Sequence, residues 1–393
     1  MAKDKPYYPL APIASISTLA KTLGVVPKLL VDIASNVSTS YTSFDIESKK
    51  GKVRTVYDPK YELKRLQKRI NSRIFEKVEF PPYLQGGIKD VNSPRDYVEN
   101  CKLHVGSSFL ISLDIKNFYD NIKVSSVFDI FKYFFKFPDD VCEILTSLVT
   151  LNGHVPQGAC TSSYVANLVF HNSEYKLVSN FRDRGLTYSR LLDDVTVSSS
   201  TLISQEATTE IIRAVAAIFR KHDLRLNSKK TKVERSDDLG ADFKVTGLWV
   251  SHGQPKLKKD ERRYIRQLVY VCEKDYKANP CSEKYHELWN RVSGKVAILT
   301  RLKHVEARKL RARLGCVLPL YDDDAKAKIC FESKKLLRRH PSTHSKVGVM
   351  TAYHKIIHSL GILTRTDRVL ARSLRRQLRA RYSTLPLKSD IWE

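Results

Sequence analysis

Two adjacent carboxylates inside an apolar, strand-forming run constrain this chain more than any other feature. Leu191-Leu192-Asp193-Asp194-Val195-Thr196-Val197 sets the acids between residues that favour strands. Neighbouring strand residues face opposite sides of a sheet, so both acids could not escape burial if the strand ran straight through. A hairpin with Asp193-Asp194 at its tip removes the conflict and exposes both carboxylates. An ordinary acidic turn reads the same way, so the pair alone does not define a site. Asp114 adds a second element, because it ends the short apolar run Phe109–Asp114, a buried-strand pattern. Carboxylates that meet at strand ends over one sheet can hold two Mg²⁺ about 4 Å apart. One ion would lower the pKa of an attacking hydroxyl and the other would neutralise charge on the leaving group. A rival cluster, Asp322-Asp323-Asp324, has no apolar strand around it and reads as an exposed loop or a helix start.

The front of the chain reads as α+β and the back as all-α. Leu63, Leu66, Ile70 and Ile74 space an amphipathic helix over Tyr61–Phe75, with Lys64, Arg65, Lys68 and Arg69 outside it. Ile211, Ile212, Val215, Ile218 and Phe219 mark another over Glu206–His222, while Leu186–Ser198 and Lys244–Val250 are further strand candidates. A Ser/Thr-rich patch, Ser35 to Ser43, is expected to join an N-terminal helical piece to the main body. After Gly253 the pattern turns helical and basic. Ile265, Leu268, Val269 and Cys272 mark one helix, and Leu288, Trp289, Val292 and Val296 mark the next. Leu370, Leu374 and Leu378 form a late stripe flanked by Arg368, Arg372, Arg375, Arg376, Arg379 and Arg381. A boundary is expected near residue 252.

Of 393 residues, 68 are Lys or Arg and 42 are Asp or Glu, a net charge of +26. That excess suits a polyanion, because each cation that meets a phosphate releases condensed counterions. A basic protein with no such partner, or one that meets anionic membranes, fits charge alone as well. No run of about 18 apolar residues exists, so no membrane span is expected. The start, Met1-Ala2-Lys3-Asp4-Lys5, lacks the apolar core of a signal peptide, and a cytoplasmic location is expected. The seven cysteines, Cys101, Cys142, Cys160, Cys272, Cys281, Cys316 and Cys330, are scattered and never spaced as CxxC. They read as reduced thiols, mostly core filler. His354 and His358 have the spacing of a zinc pair, but no Cys or acid completes a site.

Five segments in order resemble the palm of a reverse transcriptase over about two hundred residues. Asp114-Ile115-Lys116-Asn117-Phe118-Tyr119 resembles motif A, and His154-Val155-Pro156-Gln157-Gly158-Ala159-Cys160-Thr161-Ser162 resembles motif B. Leu191-Leu192-Asp193-Asp194 occupies motif C, and Leu226-Asn227-Ser228-Lys229-Lys230-Thr231 resembles motif D. Val245-Thr246-Gly247-Leu248-Trp249 resembles the primer-contacting strand that follows. Asn100-Cys101-Lys102-Leu103-His104 is similar to the retron Asn-Ala-x-x-His signature, with Cys101 for Ala, and Val245-Thr246-Gly247 matches the retron Val-Thr-Gly signature. The chain thus resembles the retron-type bacterial reverse transcriptases and their phage-defence relatives. It departs from the retron pattern at Leu191-Leu192, where Tyr-Ala is usual. That change removes a hydroxyl from primer positioning and sets a larger side chain beside the acids.

The resemblance implies a right-hand polymerase with an antiparallel palm sheet and a helical, basic C-terminal region. Its parts would be an N-terminal extension (1–50), fingers (51–108), palm (109–252, with a fingers part at 120–153), helical thumb (253–320) and basic extension (321–393). Asp114, Asp193 and Asp194 would be catalytic, holding two Mg²⁺ (or Mn²⁺) with Ile115 counted among the ligands. Tyr119, five residues after the first catalytic Asp, would lie under the sugar of the incoming nucleotide and crowd a 2′-OH, favouring DNA synthesis; core packing is its alternative. Lys89, Arg95, Gln157 and Lys230 would meet the nucleotide, Lys230 as proton donor to pyrophosphate. Arg54 resembles a fingers position but would equally pair with an acid. Gly247, Trp249, Lys258 and Arg262 would contact nucleic acid, the last two opening a thumb that tracks phosphates with Lys256, Lys259 and Arg263. The expected partners are a structured non-coding RNA as template and primer, the RNA–DNA hybrid and dNTPs, with an effector protein or a homo-oligomer left open. The terminal arginine helix either binds structured RNA or packs its leucine stripe on the thumb or another subunit. Two other functions stay open: a polymerase that needs no nucleic-acid template, and a silent RNA-binding scaffold. A role in phage defence comes only from the resemblance.

Overall fold

The computed structural model describes residues 4–47, 51, 53–238, 241–250, 253–344 and 346–385. The chain divides between Lys256 and Leu257 into two compact units. In the first, α1 (Ile16–Leu23) and α2 (Pro27–Ser35) precede a hairpin of β1 (Tyr41–Glu47) and β2 (Val53–Pro59), and α3 (Tyr61–Arg73) follows. Arg69 and Arg73 of α3 donate to the carbonyls of Leu23, Gly24 and Thr22 at 2.9, 2.9 and 2.7 Å, capping the end of α1. The Ser/Thr patch joins α1 and α2 to the hairpin and is itself ordered. It is the end of α2, a 3₁₀ turn and the start of β1. The β1–β2 ribbon is exposed on both faces apart from its ends, so it carries no buried alternation to announce it.

The sheet that positions the acids has five strands in the order β3-β5-β6-β4-β7. These are β3 (Leu84–Gln85), β4 (Phe109–Asp114), β5 (Leu186–Leu191), β6 (Asp194–Ser199) and β7 (Lys232–Arg235). All pairings are antiparallel except β3 with β5. Strand β4 lies between β6 and β7, which is why its sequence is a near-continuous apolar run. Helices α4 (Tyr97–Lys102), α5 (Phe118–Asn121), α6 (Val124–Asp129), α7 (Asp139–Val149), α8 (Ser162–Leu168), α9 (Glu174–Asp183) and α10 (Gln205–Arg220) complete this part. One core, rich in Phe75, Phe131, Phe135, Phe170, Phe181 and Phe219, joins the helices to the sheet. Lys244–Val250 is not one strand: β8 (Lys244–Val245) and β9 (Leu248–Trp249) turn on Thr246 and Gly247, both at positive φ.

The second unit is wholly helical among the described residues. One core joins α11 (Lys259–Ala278), α12 (Glu283–Arg301) and α13 (Ala307–Cys316), and another joins α14 (Asp323–Leu337), α15 (Val347–Leu363) and α16 (Arg368–Arg381). Asp322 caps α14 by accepting from the Ala325 N–H at 2.8 Å, so the triple-Asp cluster is a helix start. Ala371, Leu374 and Leu378 are buried against α14 and α15, so the late leucine stripe packs within its own unit. Arg368, Arg372, Arg376, Arg379 and Arg381 are exposed. His354 and His358 join no metal-ligating group among the described residues, and all seven cysteines are free. No described helix is long and apolar enough to cross a membrane.

Candidate active site

The two acidic strands meet as the spacing requires. Leu191 pairs with Asp194 across the β5–β6 turn, leaving Leu192 and Asp193 as its two central residues. Leu192 takes φ 59°, a region that branched, bulky residues rarely occupy. Asp114 pairs directly with Asp194 across β4 and β6, and the Ile115 N–H donates to the Asp193 carbonyl at 3.0 Å. Like charges directly opposite on a sheet repel, so the fold must offset them. Motif D supplies the offset: Lys230 Nζ reaches Asp114 Oδ2 at 2.5 Å, and Asn227 Nδ2 donates to Oδ1 at 3.2 Å. The Asn227 N–H also donates to the Asp114 carbonyl at 2.8 Å, tying that loop to the strand end. Asp194 keeps some solvent contact, yet its carboxyl is pushed up to about 6, by burial first and then by Asp193 and Asp114. Asp193 is raised by burial and Asp114, against Lys230 and Arg54. Among the described residues no three metal-ligating side chains already close on one point. The donor set is still hard carboxylate oxygen short of positive charge, which fits a divalent cation.

A buried scaffold that sequence reasoning missed carries the turn. Arg190, fully buried one residue before Leu191, pairs with Glu174 through Nε at 2.6 Å and Nη2 at 2.9 Å. Its remaining N–H groups donate to the carbonyls of Ala166, Asn167 and Leu192, each at 3.2 Å. One guanidinium thereby ties the end of α8 to the strained turn. Asn167 Nδ2 donates to the Gly86 carbonyl at 3.0 Å, extending the tie to the loop after β3. That loop runs so close that a Cβ on Gly86 would lie 2.7 Å from Leu191 Cδ1, and one on Gly87 2.3 Å from Ser163 Cβ. His104, the last residue of the first retron-like signature, bridges Ser198 Oγ at 2.8 Å and Ser189 Oγ at 2.7 Å. Burial pushes the ring down to about 3, so it is neutral, donating at one nitrogen and accepting at the other. Each signature bonds a residue beside the other: Thr246 Oγ1 donates to the Tyr97 carbonyl at 2.8 Å and the Cys101 thiol to the Leu248 carbonyl at 3.8 Å. A buried charge pair flanked by apolar sequence, as Arg190 is, was the available signal.

The remaining expected residues separate into those near the acids and those engaged elsewhere. Tyr119 is half-buried, bonded to Ser163, and feels the Asp193 charge, while it packs against the core. The Gln157 carbonyl accepts from the Tyr57 N–H at 2.9 Å, which docks motif B on β2. A Cβ at Gly158, where φ is 110°, would lie 2.8 Å from the Tyr57 carbonyl oxygen, so this contact needs glycine. Lys89 is exposed and pairs with Glu76 at 3.1 Å. Arg95 is engaged within its own loop. Its buried guanidinium donates to the carbonyls of Phe80, Pro81 and Leu84 at 2.9, 2.6 and 3.1 Å and faces Asp90 at 3.4 Å, so it staples its own loop. Gly247 is the open turn of the β8–β9 hairpin, and Trp249 Nε1 donates to the Asp242 carbonyl at 2.6 Å. In the second unit, Lys258 holds the N-cap position of α11 with its N–H donating to Glu261 Oε2 at 3.2 Å, and Arg262 bonds His304 at 3.1 Å rather than standing free.

The reverse transcriptase (RNA-dependent DNA polymerase) family model matches residues 46–266, more than half of the chain. The retron Se72 reverse transcriptase of Salmonella heidelberg (strain 579083-10) is 43% identical over 378 residues, covering 95% of this chain and 98% of that protein. The chain belongs to the retron reverse transcriptases. The retron Ec48 reverse transcriptase of Escherichia coli is 32% identical over 379 residues, covering 93% and 92% of the two chains. Among solved structures, telomerase from Candida tropicalis with a fragment of telomeric RNA gives a TM-score of 0.38 at 11% identity, over 92% of this chain and 69% of that one. That likeness is too slight to bear on the assignment. This retron reverse transcriptase is an RNA-directed DNA polymerase, and its domain implies divalent-metal-dependent catalysis.

Proposed function

We propose that this retron reverse transcriptase copies its own structured RNA into DNA, with Asp114, Asp193 and Asp194 holding two Mg²⁺ (or Mn²⁺). The register that sets Asp114 against Asp194, with Asp193 at the turn beside them, carries the reading. Bound there, with Ile115 beside Asp114 as a further ligand, the ions would activate the primer hydroxyl and neutralise the departing pyrophosphate. Lys230 then has two positions to serve: the Asp114 carboxylate, where it now lies, and the pyrophosphate, to which Nζ gives a proton. Tyr119, its hydroxyl on Ser163, would set its ring against a ribose 2′-OH and so favour deoxynucleotides. Gln157 sits beside the nucleotide through a loop that Tyr57 docks, and exposed Lys89 meets the phosphates on leaving Glu76. Gly247 and Trp249 guide the primer, and α11, with Lys258 and Arg262 in its first turn, follows the hybrid backbone. The residue spans named above for fingers, palm and thumb belong to this reading. Exposed arginines on α16 hold structured RNA, and the DNA so made serves phage defence.

Incorporation of dNTPs on an added RNA template with annealed primer tests the reading. Asp114→Asn, Asp193→Asn and Asp194→Asn should each lower the rate at least about a thousandfold, several kcal/mol of transition-state stabilisation. Tyr119→Ala should raise ribonucleotide use relative to deoxynucleotide. Full incorporation by any of the three carboxamide variants would remove the assigned metal set.

A further inference from the structure

The N-terminal strap and a distorted helix border an open-sided second site that the polymerase reading does not use. Residues 5–12 cross the first unit with Pro6, Pro9 and Pro12 holding them extended. Opposite, Ile130–Phe134 forms a π-helical turn, and Lys136 follows at φ 60°. Such turns are rare and concentrate at functional sites. Between them opens a cavity of about 660 Å³, within the range of small-ligand sites. None of the three catalytic carboxylates lines it.

The walls are set before any ligand arrives. Asp4 pairs with both terminal nitrogens of Arg182 at 2.8 and 2.5 Å, and Tyr7 and Glu79 exchange backbone hydrogen bonds of 3.1 and 2.8 Å. The Tyr8 ring sits edge-on to Phe135 at 4.8 Å, and Phe134 tilts on His171 at 5.4 Å. The lining is cationic and aromatic: Lys5, Lys136 and His171 are its titratable nitrogens, and no Asp or Glu contributes. Of the acids beside it, Asp4 pairs with Arg182 and Asp139 with Lys132. Tyr133 is 67% exposed, an aromatic face that burial does not explain. Lys5 Nζ lies 5.3 Å from the ring centre of Tyr175, which is outside the lining.

Exposed rings beside lysines that hold no carboxylate recognise an anion that has a flat π-face of its own. An acidic peptide would satisfy the lysines and leave Tyr133 unused. We propose that this cavity binds a nucleotide unit, its base stacked on Tyr133 and its phosphate held by Lys5 and Lys136. The unit belongs either to a single strand of RNA or DNA or to a free nucleotide.

Photocrosslinking on the full chain separates these sources, using a short single-stranded oligonucleotide with 5-iodouracil and, separately, 8-azido-ATP. Labelled peptides are mapped in wild type, Tyr133→Ala and Lys5→Gln/Lys136→Asn. Asparagine at 136 keeps the left-handed backbone accessible, and Tyr133 is exposed enough that its loss spares the fold. Labelling within residues 5–12 or 130–136 should fall roughly tenfold in each variant, the scale of one lost base stack. Incorporation on an added RNA template should stay at the wild-type rate, which separates this site from the polymerase centre. Labelling by the oligonucleotide that excess ATP does not compete identifies a strand, and labelling by 8-azido-ATP identifies a free nucleotide. No label in these segments from either probe, or equal label in wild type and both variants, overturns the proposal.

Discussion

Asp194 is held where it costs the fold, and the direction of that cost is measurable. Its carboxyl is raised from 3.8 to about 6, so the folded chain keeps a proton that the unfolded chain has released between those values. Stability therefore falls as pH rises through that window, unless a cation offsets the charge. Asp194→Asn should raise the melting temperature of metal-free protein at pH 8 by a few degrees while abolishing DNA synthesis; an unchanged or lower melting temperature would contradict this. His104 acts at the other end of the scale. Its ring is pushed down to about 3 from 6.5, so the unfolded chain takes up a proton that the folded chain refuses. The stabilisation is present above 6.5 and is lost as pH falls towards 3, at up to about 1.4 kcal/mol per pH unit for this one ring. His171, pushed down to about 4, adds to the same slope. Denaturant titrations from pH 7 to 4.5 should show a shallower acid loss in His104→Gln than in wild type. The acids were legible because a polar pair in an apolar strand run has one cheap solution, a hairpin tip. The ring of His104 was legible only as part of a signature, since nothing in its neighbours shows that it bridges two serines 85 and 94 residues away.

The β5–β6 hairpin works because Arg190 holds it from behind. Removing that side chain would leave Glu174 charged and buried, a loss on the order of 3–5 kcal/mol. Arg190→Lys keeps the charge and loses the fork that reaches Ala166, Asn167 and Leu192 together. The lysine variant should keep its far-ultraviolet circular dichroism yet lose most of its kcat, with KM for dNTP changing less; wild-type kcat would show that the tie to the turn is idle. Gly158→Ala makes a second test, because its Cβ would press on the Tyr57 carbonyl at 2.8 Å and on Val56 Cγ1 at 2.6 Å. It should raise KM for dNTP by displacing Gln157 from β2. Helices α3, α10, α11 and α12 were readable from periodicity because each buries one face. The β1–β2 ribbon and the two-residue strands β8 and β9 were not, since the first buries almost nothing and the others are too short to alternate.

The chain carries a net charge of +26 and divides at Lys256 into two compact units. Single-stranded RNA loses about 0.7 in the slope of log K against log salt for each phosphate contact removed. Replacing the exposed Arg372, Arg376 and Arg379 by Glu should therefore reduce that slope by roughly 2 where they meet single-stranded segments of the RNA. An unchanged slope would mean that these arginines only solvate α16. Each unit has its own apolar core, and scanning calorimetry should resolve more than one transition. The most direct test of RNA-copied DNA synthesis at the three carboxylates is to sequence the nucleic acid that copurifies with wild type and with Asp193→Ala/Asp194→Ala. A defined RNA in both samples, joined by DNA complementary to it only in wild type, is the predicted result. DNA unrelated to the bound RNA, or the same DNA in both samples, would contradict it.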